Sequence, residues 1–161
     1  AIKSYQQTIK IDPDDATAHY NLGNAYDESG KYKEAIEAYK QAIGIDPDFA
    51  EAHNNLGKAY CDSGKYKDAI KSYQQTIRIN PDFAAAHNGL GKAYYDSGKY
   101  QEAIKSYKQA IRIDPDYAET HNNLGITYLQ INDRGSALEQ YKILKSLDSE
   151  MANKLFNLIY K

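Results

Sequence analysis

Apolar positions along this chain recur in short runs at helical spacing. Between residues 50 and 83, Leu56, Ala59 and Tyr60 sit at i, i+3 and i+4, which places them on one stripe of a helix. Asp-Ser-Gly at 62–64 interrupts the run, and Gly64 is suited to the positive φ of a helix C-terminal cap. A second stripe follows at Tyr66, Ala69, Ile70, Tyr73 and Ile77. It ends at Asn80-Pro81-Asp82, where the proline disfavours helix at the residue before it and Asp82 is expected to cap the next helix. The pattern predicts two helices joined by a tight turn.

That pattern repeats. Pro13, Pro47, Pro81 and Pro115 are spaced by 34 residues, and so are His19, His53, His87 and His121. Four complete units follow, at 16–49, 50–83, 84–117 and 118–151. Residues 1–15 form the second helix of a truncated unit, and residues 152–161 form a capping helix whose start lies at 149. Met151, Leu155, Leu158 and Ile159 are expected to face inward from that cap. Gly23, Gly57, Gly91 and Gly125 recur inside first helices, where glycine costs about 1 kcal/mol relative to alanine. Their recurrence points to close approach between helices. The chain does not begin with Met and opens inside a unit, so sequence upstream is expected, with Lys161 at or near the natural C-terminus.

Leu22, Gly23, Tyr26, Gly30, Tyr32, Ala35, Tyr39, Ala42 and Pro47 carry a pattern that resembles the tetratricopeptide repeat (TPR), whose period is the 34 residues found here. The resemblance spans the whole chain, with two departures. Histidine occupies the position where the family usually has Trp, and the unit at 118–151 is degenerate, with Asn132, Arg134, Leu144 and Ser149 replacing the usual Gly, Tyr, Ala and Pro. The resemblance implies an all-α, right-handed α-solenoid of tandem helix–turn–helix units, with first helices lining a concave groove. It also implies a non-catalytic scaffold that binds a peptide segment of a partner in that groove. The alternatives are a substrate-recruiting arm of a larger enzyme and a self-assembling structural module.

The expected groove residues are Tyr20, Asn21 and Asn24 in the first complete unit and Asn54, Asn55 and Lys58 in the second. Asn88, Lys92 and Tyr95 follow in the third, and Asn122 and Asn123 in the fourth. An asparagine amide both donates and accepts, so it can pair with either group of a peptide main chain. The column Asn21, Asn55, Asn123 and Asn157, broken by Gly89, is similar to the asparagine ladder of TPR arms that grip main chain. A carboxylate clamp for chaperone tails is not expected. It needs a Lys and an Asn, then an Asn, then a Lys and an Arg on successive first helices. The corresponding series, Tyr20, Asn24, Asn55, Ala85, Gly89 and Asn88, Lys92, Asn123, Asn153, Asn157, lack those cations.

Composition narrows the classes further. A net charge of −2 gives no footprint for nucleic acid. No apolar run approaches the roughly 18 residues of a membrane span. The lone Cys61 excludes an internal disulfide and fits a reducing, cytoplasmic setting. The histidine column invites a metal reading. Equivalent residues on stacked helices lie about 8–10 Å apart, however, whereas zinc ligands sit about 2 Å from their ion. No metal or other cofactor is therefore expected, and the imidazoles are assigned to packing. The N-terminal helix leaves Ile2, Tyr5, Ile9 and Ile11 without a first-helix partner, which predicts self-association through that end.

Overall fold

The computed structural model describes residues 1–161 as ten helices with no strand. They fall into two compact units, Ala1–Pro81 and Asp82–Lys161. The first holds α1 (Ile2–Ile11), α2 (Ala16–Glu28), α3 (Tyr32–Ile45), α4 (Ala50–Asp62) and α5 (Tyr66–Ile79). The second holds α6 (Ala84–Asp96), α7 (Tyr100–Ile113), α8 (Ala118–Gln130), α9 (Arg134–Leu147) and α10 (Ser149–Ile159). In the first unit α2 pairs with α3 and α4 with α5, while α3 packs on α4 and α1 on α2. In the second, α6 pairs with α7 and α8 with α9, α7 packs on α8, and α10 lies against both α8 and α9. No helix is long and apolar enough to cross a membrane.

The turn inside each pair follows from its glycine. Gly30, Gly64 and Gly98 adopt φ of 70°, 74° and 77°, a region that costs a residue without Cβ nothing. The chain then reverses, and the N–H of Lys31, Lys65 and Lys99 bonds back to the carbonyl of Tyr26, Tyr60 and Tyr94 at 2.9, 2.8 and 2.8 Å. This closure satisfies carbonyls that the helix end would otherwise orphan. In the degenerate unit Asn132 takes over with φ 61°, the residue type that best tolerates this region after glycine.

The loop between pairs differs from expectation. Asp82 does not cap α6: the N-cap is Phe83, with no side-chain cap bond. Phe49 and Tyr117 hold the same place before α4 and α8. The acids preceding proline fold the loop instead, with Asp46 and Asp114 accepting the N–H of Asp48 and Asp116 at 3.1 and 3.2 Å. Asp15 does put a carboxylate at the cap position before α2, where it accepts from the N–H of Ala18 at 2.9 Å, and Asp148 does so before α10, accepting from the N–H of Glu150 and Met151 at 3.0 and 2.9 Å. The histidine that shares the proline's period reaches back to it: Nε2 of His19, His53 and His121 donates to the carbonyl of Pro13, Pro47 and Pro115 at 3.0, 3.0 and 2.8 Å. A neutral ring with its proton on Nε2 and a doubly protonated ring both carry this donor. The bond pins the loop to the first helix.

The recurring glycine admits an aromatic ring rather than a neighbouring backbone. A Cβ on Gly23 would lie 2.5 Å from the ring of Tyr39, on Gly57 3.0 Å from Tyr73, and on Gly91 2.6 Å from Tyr107. Such contacts are closer than van der Waals packing permits, so the ring and the first helix interlock only because the Cβ is missing. At Gly125 the slot holds Leu155 of α10, which would lie 2.6 Å away. Tyr141, in the register of the other tyrosines, stacks instead on Phe156 at 5.3 Å between ring centroids. Leu155 and Ile159 are buried as expected and Met151 is half-buried, but Leu158 is 43% exposed. Its face of α10 points away because Leu155 has turned toward the Gly125 slot. At the other end Ile2, Tyr5 and Ile9 are half-covered, whereas Ile11 is 78% exposed.

Candidate functional site

First helices are half-polar because only their Leu, Gly and Ala stripe enters the core. Leu22, Gly23 and Ala25 are buried in α2, and Leu56, Gly57 and Ala59 in α4. The asparagines lie just off this stripe, half-buried, where an amide needs partners. In the first unit most find them within the protein. Asn55 Nδ2 donates to Asn24 Oδ1 at 2.9 Å and to the Tyr20 hydroxyl at 3.2 Å. The Tyr39 hydroxyl donates to the same Asn24 oxygen at 2.8 Å, and Asn54 Nδ2 donates to Asn55 Oδ1 at 3.1 Å. Both lone pairs of Asn24 Oδ1 are thus engaged while its two N–H donors are not. Burial, followed by the charge of Asp27, pushes the Tyr39 phenol well above the ordinary tyrosine range.

Charges on this face are also matched internally. Lys58 Nζ bonds Asp27 Oδ2 at 2.6 Å and Asp62 Oδ2 at 3.2 Å. Burial pulls the Lys58 ammonium down, but hydrogen bonds from Asp27 and Asp62 more than offset it, so its pKa lies above the usual lysine value. Two buried acceptors, Asp27 Oδ1 and Asn54 Oδ1, have no hydrogen-bond partner.

The second unit is wired more loosely. Asn88, expected on the accessible face, is 5% exposed; it donates to Glu119 Oε1 at 3.2 Å and accepts from Asn123 Nδ2 at 3.3 Å. Lys92 is exposed, forms no ion pair and stands where the first unit has Asn24, while Tyr95 and Ile126 stand where that unit has Asp27 and Lys58. Burial holds the Asp96 carboxyl above its ordinary value, only partly opposed by Lys92. Burial likewise raises the Tyr95 phenol, whose ring meets that of Tyr100 in a tilted contact at 5.4 Å between centroids. Lys92, Tyr95, Asp96, Tyr107, Asn123 and Ile126 enclose a cavity of about 230 Å3.

The expected site residues therefore divide into three groups. Tyr20, Asn24, Asn54 and Asn55 form one bonded cluster on α2 and α4, and Lys58 is paired separately with Asp27 and Asp62. Lys92, Tyr95 and Asn123 meet around the cavity, with Asn88 beneath. Asn21 and Asn122 are half-buried and make no internal side-chain bond. Tyr107 was not expected at the site because it belongs to a second helix. The signal lay in Gly91, sixteen residues earlier, which opens the first helix to its ring. No three His, Cys, Asp or Glu side chains converge as metal ligands do.

The chain is similar to several solved structures. One of MamA superposes with a TM-score of 0.86 at 28% identity, over 94% of this chain and 89% of that one. The first TPR of Spaghetti (RPAP3), bound to the HSP90 peptide SRMEEVD, gives 0.71 at 27% identity over 72% and 92%. YrrB, described as a TPR protein with an unusual peptide-binding site, gives 0.81 at 24% identity over 97% and 81%, a likeness of fold. No curated protein matches the sequence. The family model described as TPR repeat matches residues 1–30, 23–61, 57–98 and 91–132. With four overlapping matches over most of its length and all-α helix pairs in the expected register, the chain belongs to the TPR-repeat family.

Proposed function

We propose that this protein is a non-catalytic interaction scaffold whose first-helix faces bind a peptide segment of a partner protein. The repeats follow the division 16–49, 50–83, 84–117 and 118–151. The observation that carries the reading is the unmatched hydrogen-bonding capacity on those faces: both Asn24 N–H donors, and the whole amides of Asn21 and Asn122. A half-buried amide without a partner is stabilised by any ligand that supplies one, and an extended main chain offers donors and acceptors alike. The Spaghetti TPR, at 27% identity, was solved with a peptide in place.

The test is selection of displayed random peptides on the immobilised protein, followed by titration of the selected peptides. The double variant Asn21→Ala, Asn122→Ala disturbs no internal bond, so its stability should match the parent. Its affinity should fall about tenfold, the equivalent of one or two lost hydrogen bonds. Equal affinity would remove the asparagines from the grip.

A second reading, self-association, draws support from α1. Ile11 is exposed, and Ile2, Tyr5 and Ile9 are only half-covered; a fully exposed side chain of this size forgoes about 1.5–3 kcal/mol of burial. Light scattering across concentration checks it: a growing mass that Ile11→Lys reverses supports the reading, and a constant monomer mass removes it.

A further inference from the structure

The cavity of the second unit differs chemically from the corresponding positions of the first. Its floor and walls are the buried ring of Tyr107, the ring of Tyr95 and the aliphatic Ile126. At its rim stand an ammonium, Lys92, without an ion-pair partner and a partly desolvated carboxylate, Asp96. The volume is about 230 Å3. That is below the ~300 Å3 at which sites for whole small molecules begin, yet several times the ~30 Å3 share of one water. It suits a single large side chain.

The rim narrows the occupant further. A cationic side chain would meet Lys92, and an anionic one would meet Asp96. A neutral group that accepts on one side and donates on the other satisfies both, and a peptide backbone is such a group, its carbonyl accepting and its N–H donating. In the first unit the equivalent positions are bridged to one another, Lys58 to Asp27 and Asn24 to both Asn55 and Tyr39.

We propose that this cavity receives one large apolar side chain of the bound peptide, of the leucine or phenylalanine class, with the main chain of that residue held between Lys92 and Asp96. The assignment rests on the peptide-binding reading above and adds to it a position of side-chain selectivity. The second unit thus carries a side-chain selectivity of its own.

The probes are N-acetyl-phenylalaninamide, N-acetyl-leucinamide and N-acetyl-glycinamide, each titrated into the whole chain while the Ile126 methyl resonances are followed by NMR. The first two should give saturable shifts in the millimolar range, and the glycine compound should bind at least fivefold more weakly. The double variant Tyr95→Asp, Ile126→Lys places the aspartate and lysine of the first unit at this site; the variant should show no saturable shift at Lys92 or Asn123. Should it unfold, Ile126→Lys alone, at a half-exposed position, serves in its place with the same expectation. Equal shifts from all three amides, or a filled-in variant that still binds them, would overturn the assignment. Selected peptides that bind the protein while the amides do not would overturn the pocket alone. Failure to bind any peptide would overturn the pocket together with the peptide reading.

Discussion

The first-helix faces of the two units are built on one repeat, yet they reach opposite solutions. On α2 and α4, Lys58 is held by Asp27 and Asp62, and Asn24, Asn55, Tyr20 and Tyr39 share a connected set of hydrogen bonds. On α6 and α8, Lys92 forms no ion pair, the exposed Asp96 has its carboxyl pKa raised by partial burial, and a single 3.3 Å bond links Asn123 to Asn88. Asn24 to Lys92 and Tyr20 to Asn88 change the acceptors available to the equivalent asparagine, and two further differences in equivalent positions are Asp27 to Tyr95 and Lys58 to Ile126. The latter two exchange an ion pair for an apolar wall. A repeat can thus keep its packing columns and still redistribute polarity on the face that packing does not fix.

The sharpest way to break this comparison is to remove the equivalent asparagines. Asn55→Ala should cost about 1–3 kcal/mol, since it strips partners from three half-buried side chains, Tyr20, Asn24 and Asn54. Asn123→Ala should cost no more than about 1 kcal/mol, as it loses one long bond. Chemical denaturation measures both, and equal losses would mean that the first face is no more tightly wired than the second. Tyr39→Phe comes next, at about 0.5–1.5 kcal/mol for its bond to Asn24. The folded phenol ionises above the ordinary tyrosine value. Its contribution is therefore complete below about pH 10 and is lost as the pH rises beyond that. Melting curves from pH 9 to 11.5 should fall less steeply for Tyr39→Phe than for the parent.

Smaller effects separate the lysines. Lys58→Met should cost about 0.2–1 kcal/mol, and the cost should shrink in high salt, because Lys58 is more than half exposed. Lys92→Met should change stability by less than about 0.5 kcal/mol at any salt concentration. The smallest shift concerns Asp96, whose folded-state pKa is raised. Its ionised form is the disfavoured one, so relative stability falls as the pH rises through that pKa. Asp96→Asn should therefore be slightly stabilising at pH 7, by under about 0.5 kcal/mol, and neutral at pH 3. A stabilisation that persists at pH 3 would show that burial of the charge is not its cause.

Much of the architecture was legible in the sequence. The proline, histidine and glycine columns give the period, and the period places every helix pair. The interval shared by histidine and proline reads as packing and does not announce the bond from Nε2 of His19, His53 and His121 to the proline carbonyl. What the sequence left open was partnership across helices. Asn24 meets Asn55 across 31 residues of chain, and nothing in either residue's neighbourhood announces the other. The asparagines therefore read as an even column of free amides, although Asn55 and Asn88 are largely committed inside their units. Asp82 misled for a local reason: one position separates an acid that shapes the loop from one that caps the helix, as Asp15 does before α2, and Phe83 holds that cap position before α6. The inward turn of Leu158 failed because helical periodicity cannot tell which neighbour α10 leans toward.

The Gly125 slot bears on how the chain acquires structure as it is synthesised. Gly23, Gly57 and Gly91 each receive a ring from sixteen residues later, so those pairs can lock as soon as the following helix has emerged. Gly125 waits for Leu155, thirty residues on. Until that side chain is available, the Gly125 slot of α8 stays unfilled, and pulse proteolysis of nascent chains is expected to find the second unit protected only after α10 has emerged. Order of emergence, and not only final contact, is thus encoded in which residue fills a glycine's missing Cβ.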